Sequence, residues 1–152
     1  MSHPVRARQP IRAAVGDTHP AREIGPLTQT DIVRFAGAGG DFNPLHHDPE
    51  FVRSSGFPGV ISMGQLQAGM LAGWLSDWLG VEHLREFEVR FVAPVFLGDV
   101  LRLSGEIVAV DGPGPASAAA PVTESVAEIA LSVRRGDDTV VRASAKAVVA
   151  SS

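Results

Sequence analysis

The segment from Ser62 to Leu79, SMGQLQAGMLAGWLSDWL, has no clean polar face. The large side chains of Leu66, Met70, Trp74 and Trp78 are interleaved with small ones at Gly64, Ala68, Gly69, Ala72 and Gly73. A helix that is apolar nearly all round is buried nearly all round. Each glycine in a helix interior costs about 1 kcal/mol relative to alanine, so this helix needs close approach by other backbone more than it needs propensity. Ser62, Gln65, Gln67, Ser76 and Asp77 interrupt the apolar stretch, which makes it a poor membrane span. The rest of the chain must fold around it.

After Gly80 the period changes from helical to two. Phe87, Val89 and Phe91 alternate with Glu86, Glu88 and Arg90. Leu101, Leu103 and Ile107 share a face opposite Arg102, Ser104 and Glu106, and Ile129, Leu131 and Val133 share another. Val141, Ala143, Ala145, Ala147 and Val149 oppose Arg142, Ser144 and Lys146. These read as half-buried strands. Leu97-Gly98-Asp99 and Arg135-Gly136-Asp137-Asp138 carry hairpin-turn chemistry, and Asp111 to Ser125 is a low-complexity connection. Strands segregated from helices give an α+β class, here an antiparallel meander curled round one helix. A single helix cannot cover both sides of a wide sheet. Pairing two copies edge to edge extends the sheet and protects an edge, so a homodimer is expected.

Upstream, Ile11 to Pro26 holds a first short strand, interrupted by Asp17, Pro20 and Pro26. In LTQTDIVRFAGAGGD, Thr28 or Thr30 caps a helix with Asp31 in its first turn. Ile32, Phe35 and Ala36 fall on one face, and glycines 37, 39 and 40 end the helix. Asp48-Pro49 starts a shorter one running to Ser55. Residues 1–10 read as a flexible leader and 11–150 as one domain, in keeping with 152 residues in all. The opening MSHPVRARQP has no apolar region behind it, so no secretory signal is expected and the cytoplasm is the expected location. The absence of cysteine excludes disulfides and thiolate chemistry. A net charge of -4 lacks the basic footprint of a nucleic-acid partner, and no run of like charge marks a membrane patch.

The titratable groups gather in GGDFNPLHHDPEF, Gly39 to Phe51. No hydrophobic period runs there, so packing does not account for Asp41, Asn43, His46, His47 and Asp48 standing together. Pro44 removes a backbone donor and restricts Asn43 to extended or turn conformations, so the loop takes one shape. A turn at Asn43-Pro44 brings Asp41 and His46 over a shared point. A carboxylate beside an imidazole supplies a proton acceptor near neutral pH and a partner that orients or donates. The two suit a single water, with the Asn43 amide fixing the geometry. The same residues are ordinary turn formers, and turn chemistry alone leaves the structural and catalytic readings both open. His47 reads as a solvated neighbour and Asp48 as a helix cap. Adjacent residues in a turn diverge, unlike the ligands of a zinc site, so no metal is expected. With no G-x-S-x-G elbow and no Gly-rich phosphate loop, no nucleotide cofactor is expected either.

FAGAGGDFNPLHHDPEF, followed by FPGVISMGQLQAGML, resembles the hydratase motif of MaoC-like dehydratases and R-specific enoyl-CoA hydratases. The likeness continues through FVAPVFLGD and covers the chain from about Pro26 to Val149. Its D-x-N-P-x-H core, with a glycine-bearing helix start eighteen residues after the histidine, makes the match specific. The resemblance implies a hotdog fold, a long central helix wrapped by an antiparallel sheet and usually dimeric. It implies reversible addition of water to a trans-2-enoyl thioester of coenzyme A or acyl carrier protein, giving an (R)-3-hydroxyacyl thioester without a cofactor. On this resemblance Asp41 and His46 match the catalytic pair and Asn43 the asparagine that shapes the site. Gly64 matches the glycine whose N–H meets the thioester oxygen. Periodicity separately puts Gly64 in the first turn of the buried helix, where N–H groups are free and the dipole favours negative charge.

Two departures stand out. The family commonly reads I-V-H-G-M where this chain has Ile61-Ser62-Met63-Gly64-Gln65, which implies an altered pocket with its chemistry intact. A serine that supports the aspartate in some members is Ala72 here. Met63, Gln65 and Leu66 are the candidate substrate-binding residues, and they also read as plain core. Two rival functions fit the same fold: acyl-CoA thioester hydrolysis, with water aimed at C1, and a non-catalytic companion subunit of a heteromeric hydratase.

Overall fold

The structure, a computed structural model, describes residues 8–112 and 124–150. Residues 1–7 of the expected leader and 113–123 of the expected connection lie outside the described residues. The chain runs β1 (Arg22–Ile24), α1 (Gln29–Gly39), α2 (Pro49–Ser54), α3 (Gly64–Leu79), β2 (Leu84–Phe91), β3 (Leu101–Asp111), β4 (Glu124–Arg135) and β5 (Asp138–Ala150), with 3-10 turns at Pro44–His46 and Val81–His83. The α+β class is as expected. The first strand is shorter than Ile11 to Pro26, and its neighbours touch the sheet only at isolated bridges, Arg12 to Ala150 and Thr18 to Glu106.

One antiparallel sheet has the order β1-β3-β4-β5-β2. The meander expectation holds for β3, β4 and β5, and Gly136-Asp137 makes the tight β4–β5 hairpin. The turn at Leu97-Gly98-Asp99 is not a hairpin, contrary to its composition, because β2 lies beyond β5 and never meets β3. Its backbone bonds go elsewhere: Leu97 N–H donates to Val60 O at 3.0 Å and Gly98 N–H to Leu27 O at 2.8 Å. Asp99 caps the turn by accepting from Phe96 N–H at 2.8 Å and from Arg135 at 3.2 Å.

Helix α3 packs against β2, β4 and β5. Leu71, Trp74, Leu75 and Leu79 are buried with Leu101, Leu103, Ile107, Ile129, Val133 and Val141, the faces that period two assigned inward. Trp74 Nε1–H finds an acceptor in Pro20 O at 3.0 Å, so its bulk is buried without an orphan donor. A Cβ at Gly105 would stand 2.6 Å from Leu131, 3.1 Å from Ala130 O and 3.3 Å from Trp74, so a side chain there would have to displace Leu131. Register shifts in the β2–β5, β3–β4 and β4–β5 pairs bend the sheet.

Two details of α3 differ from expectation. It starts at Gly64, two residues later than the apolar run. It is also not covered all round: Gln65, Gly69, Gly73 and Asp77, spaced by four, are exposed. Glycine counts as apolar in a pattern but has no side chain that must be covered. A second cluster joins Ile32 and Ala36 of α1, Val52 of α2, Val60 and Met63, and seats the two short helices beside the start of α3. Among the described residues no helix is long and apolar enough to cross a membrane.

Candidate active site

Helix α1 aims the loop that follows it. Thr28 and Asp31 form a reciprocal cap at its start, the Asp31 carboxylate accepting the Thr28 hydroxyl at 2.6 Å and N–H at 2.9 Å. Those bonds hold the Asp31 carboxyl below its ordinary pKa. At the other end Gly40 adopts φ 69°, a left-handed conformation that favours glycine. The chain reverses and Asp41 N–H closes on Ala36 O at 3.0 Å. Asp41 Oδ1 then accepts from Asn43 N–H at 3.3 Å, and Asn43 Oδ1 from Leu45 N–H at 3.0 Å. These two local turns deliver His46. Asp48 is occupied as the cap of α2, accepting from Glu50 and Phe51 N–H at 2.9 and 3.1 Å. His47 is exposed.

His46 is buried, and its Nδ1 stands 2.7 Å from Ile61 O. A carbonyl oxygen only accepts, so Nδ1 carries the hydrogen. In the neutral ring Nε2 is therefore an acceptor. It faces Asp41 Oδ2 at 3.4 Å, and the Asp41 side chain is 46% exposed. Two acceptors so placed can share a donor such as a water. Further bonds fix the loop: Ile61 N–H to Leu45 O at 3.1 Å and Gln29 Nε2 to His46 O at 2.9 Å.

Beside this loop lies a cavity of about 400 Å³, whose walls include Ile61, Ser62, Gly64, Gln67, Phe91 and Val95. Asp41 and His46 do not line it; they join it through Ile61, whose carbonyl holds the imidazole. Gly64 is three positions on from Ile61, a reach of at most about 11 Å. As the first residue of α3, Gly64 has an N–H with no acceptor inside its helix. A Cβ at Gly64 would lie 2.8 Å from the Phe91 ring. A larger residue there would have to displace that ring.

Of the candidate substrate-binding residues, Gln65 lines the cavity and Met63 and Leu66 do not. Met63 is buried in the cluster under α1 and α2, a long-range contact that spacing cannot reveal. Sequence reasoning passed over Ser62, Gln67 and Phe91. The first two were visible only as polar interruptions of an apolar helix, yet both are buried and hydrogen-bonded to each other at 2.7 Å. Among the described residues no group of histidine and acidic side chains is arranged to hold a metal ion.

A family model described as MaoC like domain matches residues 10–128. The (R)-specific enoyl-CoA hydratase of Aeromonas caviae is 35% identical over 83 residues, 53% of this chain and 61% of that protein. The mitochondrial 3-hydroxyacyl-[acyl-carrier-protein] dehydratase of Arabidopsis thaliana is 34% identical over 86 residues, 56% of this chain and 50% of that one. Each match thus spans less than two thirds of the relative's length. The solved structure of the A. caviae (R)-hydratase is similar at a TM-score of 0.73 and 25% identity, covering 91% of this chain and 98% of that chain.

Proposed function

The chain belongs to the MaoC-like domain family and has its hotdog fold, and from that premise we propose that it hydrates trans-2-enoyl thioesters of coenzyme A or acyl carrier protein. The observation that carries this reading is the Asp41–His46 pair: one imidazole nitrogen committed to Ile61 O, the other facing a carboxylate at 3.4 Å. That arrangement suits a water that donates to both.

In the proposed reaction Asp41 takes a proton from the water as its oxygen attacks Cβ. Electrons of the double bond move toward the thioester oxygen, whose growing charge meets the Gly64 N–H and the positive end of α3. His46 orients the water through Nε2, takes the proton on from Asp41 at that nitrogen and delivers it to Cα, which returns both groups to their starting forms. One water is added, and the product is the (R)-3-hydroxyacyl thioester. The steps run equally in reverse, as dehydration. Asn43 takes no proton; its side chain holds the Leu45 N–H and so the loop between the pair.

A homodimer is part of the proposal, because among the described residues β2 is an outer strand with one unpaired edge. The test is a spectrophotometric assay on crotonyl-CoA, with loss of the conjugated thioester absorbance and formation of 3-hydroxybutyryl-CoA as the expected result. Release of free thiol from a saturated acyl-CoA, without hydration of crotonyl-CoA, would support hydrolysis instead.

A further inference from the structure

The cavity beside Gly64 has a polar element that the hydration chemistry does not use. Gln67 and Ser62 are 2% and 4% exposed, and both line the cavity. Gln67 Nε2 donates to Ser62 Oγ at 2.7 Å. The other polar atom of the amide, Oε1, has no partner among the described residues. It is not sealed in protein: among those residues Arg134 Nε is the one side-chain polar atom both shut from solvent and unpartnered. Its opening is therefore the cavity that Gln67 lines. The Ser62 hydroxyl donates as readily as it accepts, so the amide can also turn over and present its NH₂.

The surrounding wall includes Val92, Ala93, Val95 and Val141. A largely apolar cavity with a few placed polar groups is how a site fixes the orientation of its ligand, and Gln67 and Ser62 are the buried pair among them here. Gln67 follows Gly64 by three residues, so it lies on the same side of α3, about one turn further in. A group bound at the Gly64 N–H and extending along the helix meets this amide next.

Resting on the hydration reading, we propose that Gln67, positioned by Ser62, is a specificity-determining residue. It hydrogen-bonds a hydroxyl, carbonyl or amide group of the thioester lodged beside Gly64, so the preferred ligand carries such a group where a plain acyl thioester has hydrocarbon. Two parts of an acyl thioester offer that chemistry: an oxygenated acyl chain, and the amide of the pantetheine arm. A merely structural role for the pair, tying Ser62 to a helix start that has no side-chain cap, would not create a ligand preference.

Binding of unreactive saturated thioesters, followed by calorimetry, tests the proposal. In the acyl arm hexanoyl-CoA is compared with hexanoyl-CoA carrying a hydroxyl or keto group at each carbon other than C3, where a hydroxyl would make the proposed reaction's own product. In the head-group arm the N-acetylcysteamine thioester of hexanoate is compared with its analogue in which methylenes replace the amide. The wild type should prefer the polar member of one arm by about tenfold or more, the worth of one buried hydrogen bond left unmade. Gln67→Leu should reduce that preference to about threefold or less, and Ser62→Ala should weaken it. Equal binding of polar and apolar members in both arms overturns the proposal, as does an unchanged preference in Gln67→Leu. If Gln67→Leu fails to fold, an unchanged preference in Ser62→Ala overturns it. Failure of the hydration reading would show separately, as wild-type protein that binds these thioesters but leaves crotonyl-CoA unchanged.

Discussion

His46 Nε2 lies 3.4 Å from Asp41 Oδ2 while the same ring's Nδ1 is held by Ile61 O at 2.7 Å. One nitrogen is fixed in its protonated form, and only the other is left to exchange a proton. Asp41→Asn keeps the shape and the acceptor for Asn43 N–H but removes the carboxylate. His46→Gln removes the exchanging nitrogen. Each should lower turnover of crotonyl-CoA by ~10²–10⁴. Thermal melts should show Asp41→Asn within about 0.5 kcal/mol of wild type and His46→Gln lower by about 1 kcal/mol, for the weakened bond to Ile61. Wild-type rates in both variants would remove the pair from the mechanism.

Gly64 and Phe91 make a second pair whose effects can be separated. In Gly64→Ala the new methyl would enter the Phe91 ring at 2.8 Å, and it would also stand beside the N–H offered to the thioester oxygen. Overpacking of this kind costs about 1–3 kcal/mol. Phe91 is half exposed and able to yield, so the low end is expected. Adding Phe91→Leu should restore the melting temperature. Turnover should stay about 10²–10³ below the Phe91→Leu single variant, the scale of a disabled oxyanion donor. Recovery of turnover along with stability would reduce Gly64 to a packing residue.

What was legible in the sequence follows the range of the forces involved. The Asp41–His46 loop is built from neighbours: Gly40 reverses the chain, Asn43 and Pro44 set the turn, and Asp48 caps the next helix. Such chemistry is written within a few residues. The inward faces of β3, β4 and β5 were equally plain, because side-chain alternation is local. Strand order was not, since period two says nothing of which strands adjoin, and the Leu97-Gly98-Asp99 turn closes on Val60 and Leu27 instead of making a hairpin. Nor did spacing tell Met63, seated under α1, from Gln65, which lines the cavity. Period two put Phe91 on the inward face with Phe87 and Val89, yet it is 50% exposed at the strand end, and its place beside Gly64 comes only from the fold.

The cap of α1 gives the protein an acid-side dependence. Asp31 is held below the ordinary aspartate value of about 3.9 by hydrogen bonds from Thr28. A carboxyl with a depressed folded pKa stabilises fully above its unfolded pKa, and that contribution is lost as pH falls through the folded value. The window is therefore below about pH 4. Thr28→Val removes the hydroxyl bonds and should lower the melting temperature at pH 7 by about 2–4 °C. The gap between the two proteins should narrow as pH drops through that window. A constant gap down to about pH 2 would mean that Asp31 gains nothing from Thr28.

The free edge of β2 supplies the last expectation. On one side β2 pairs with β5, and on the other no strand among the described residues covers it. Near its end Phe91 and Val92 are 50% and 49% exposed, next to the cavity they help line. Open strand edges invite pairing unless charge or covering blocks it. The charges of Glu86, Glu88 and Arg90 lie along β2, but the apolar end at Phe91 and Val92 is unguarded. A second copy meeting that end would bury both residues and narrow the cavity mouth. Light scattering at micromolar concentration should give twice the mass of a single chain. Val92→Glu should shift the population toward single chains on dilution and weaken binding of acyl-CoA in the same titration. A wild-type protein that stays a single chain yet hydrates crotonyl-CoA at full rate would show that β2 needs no partner.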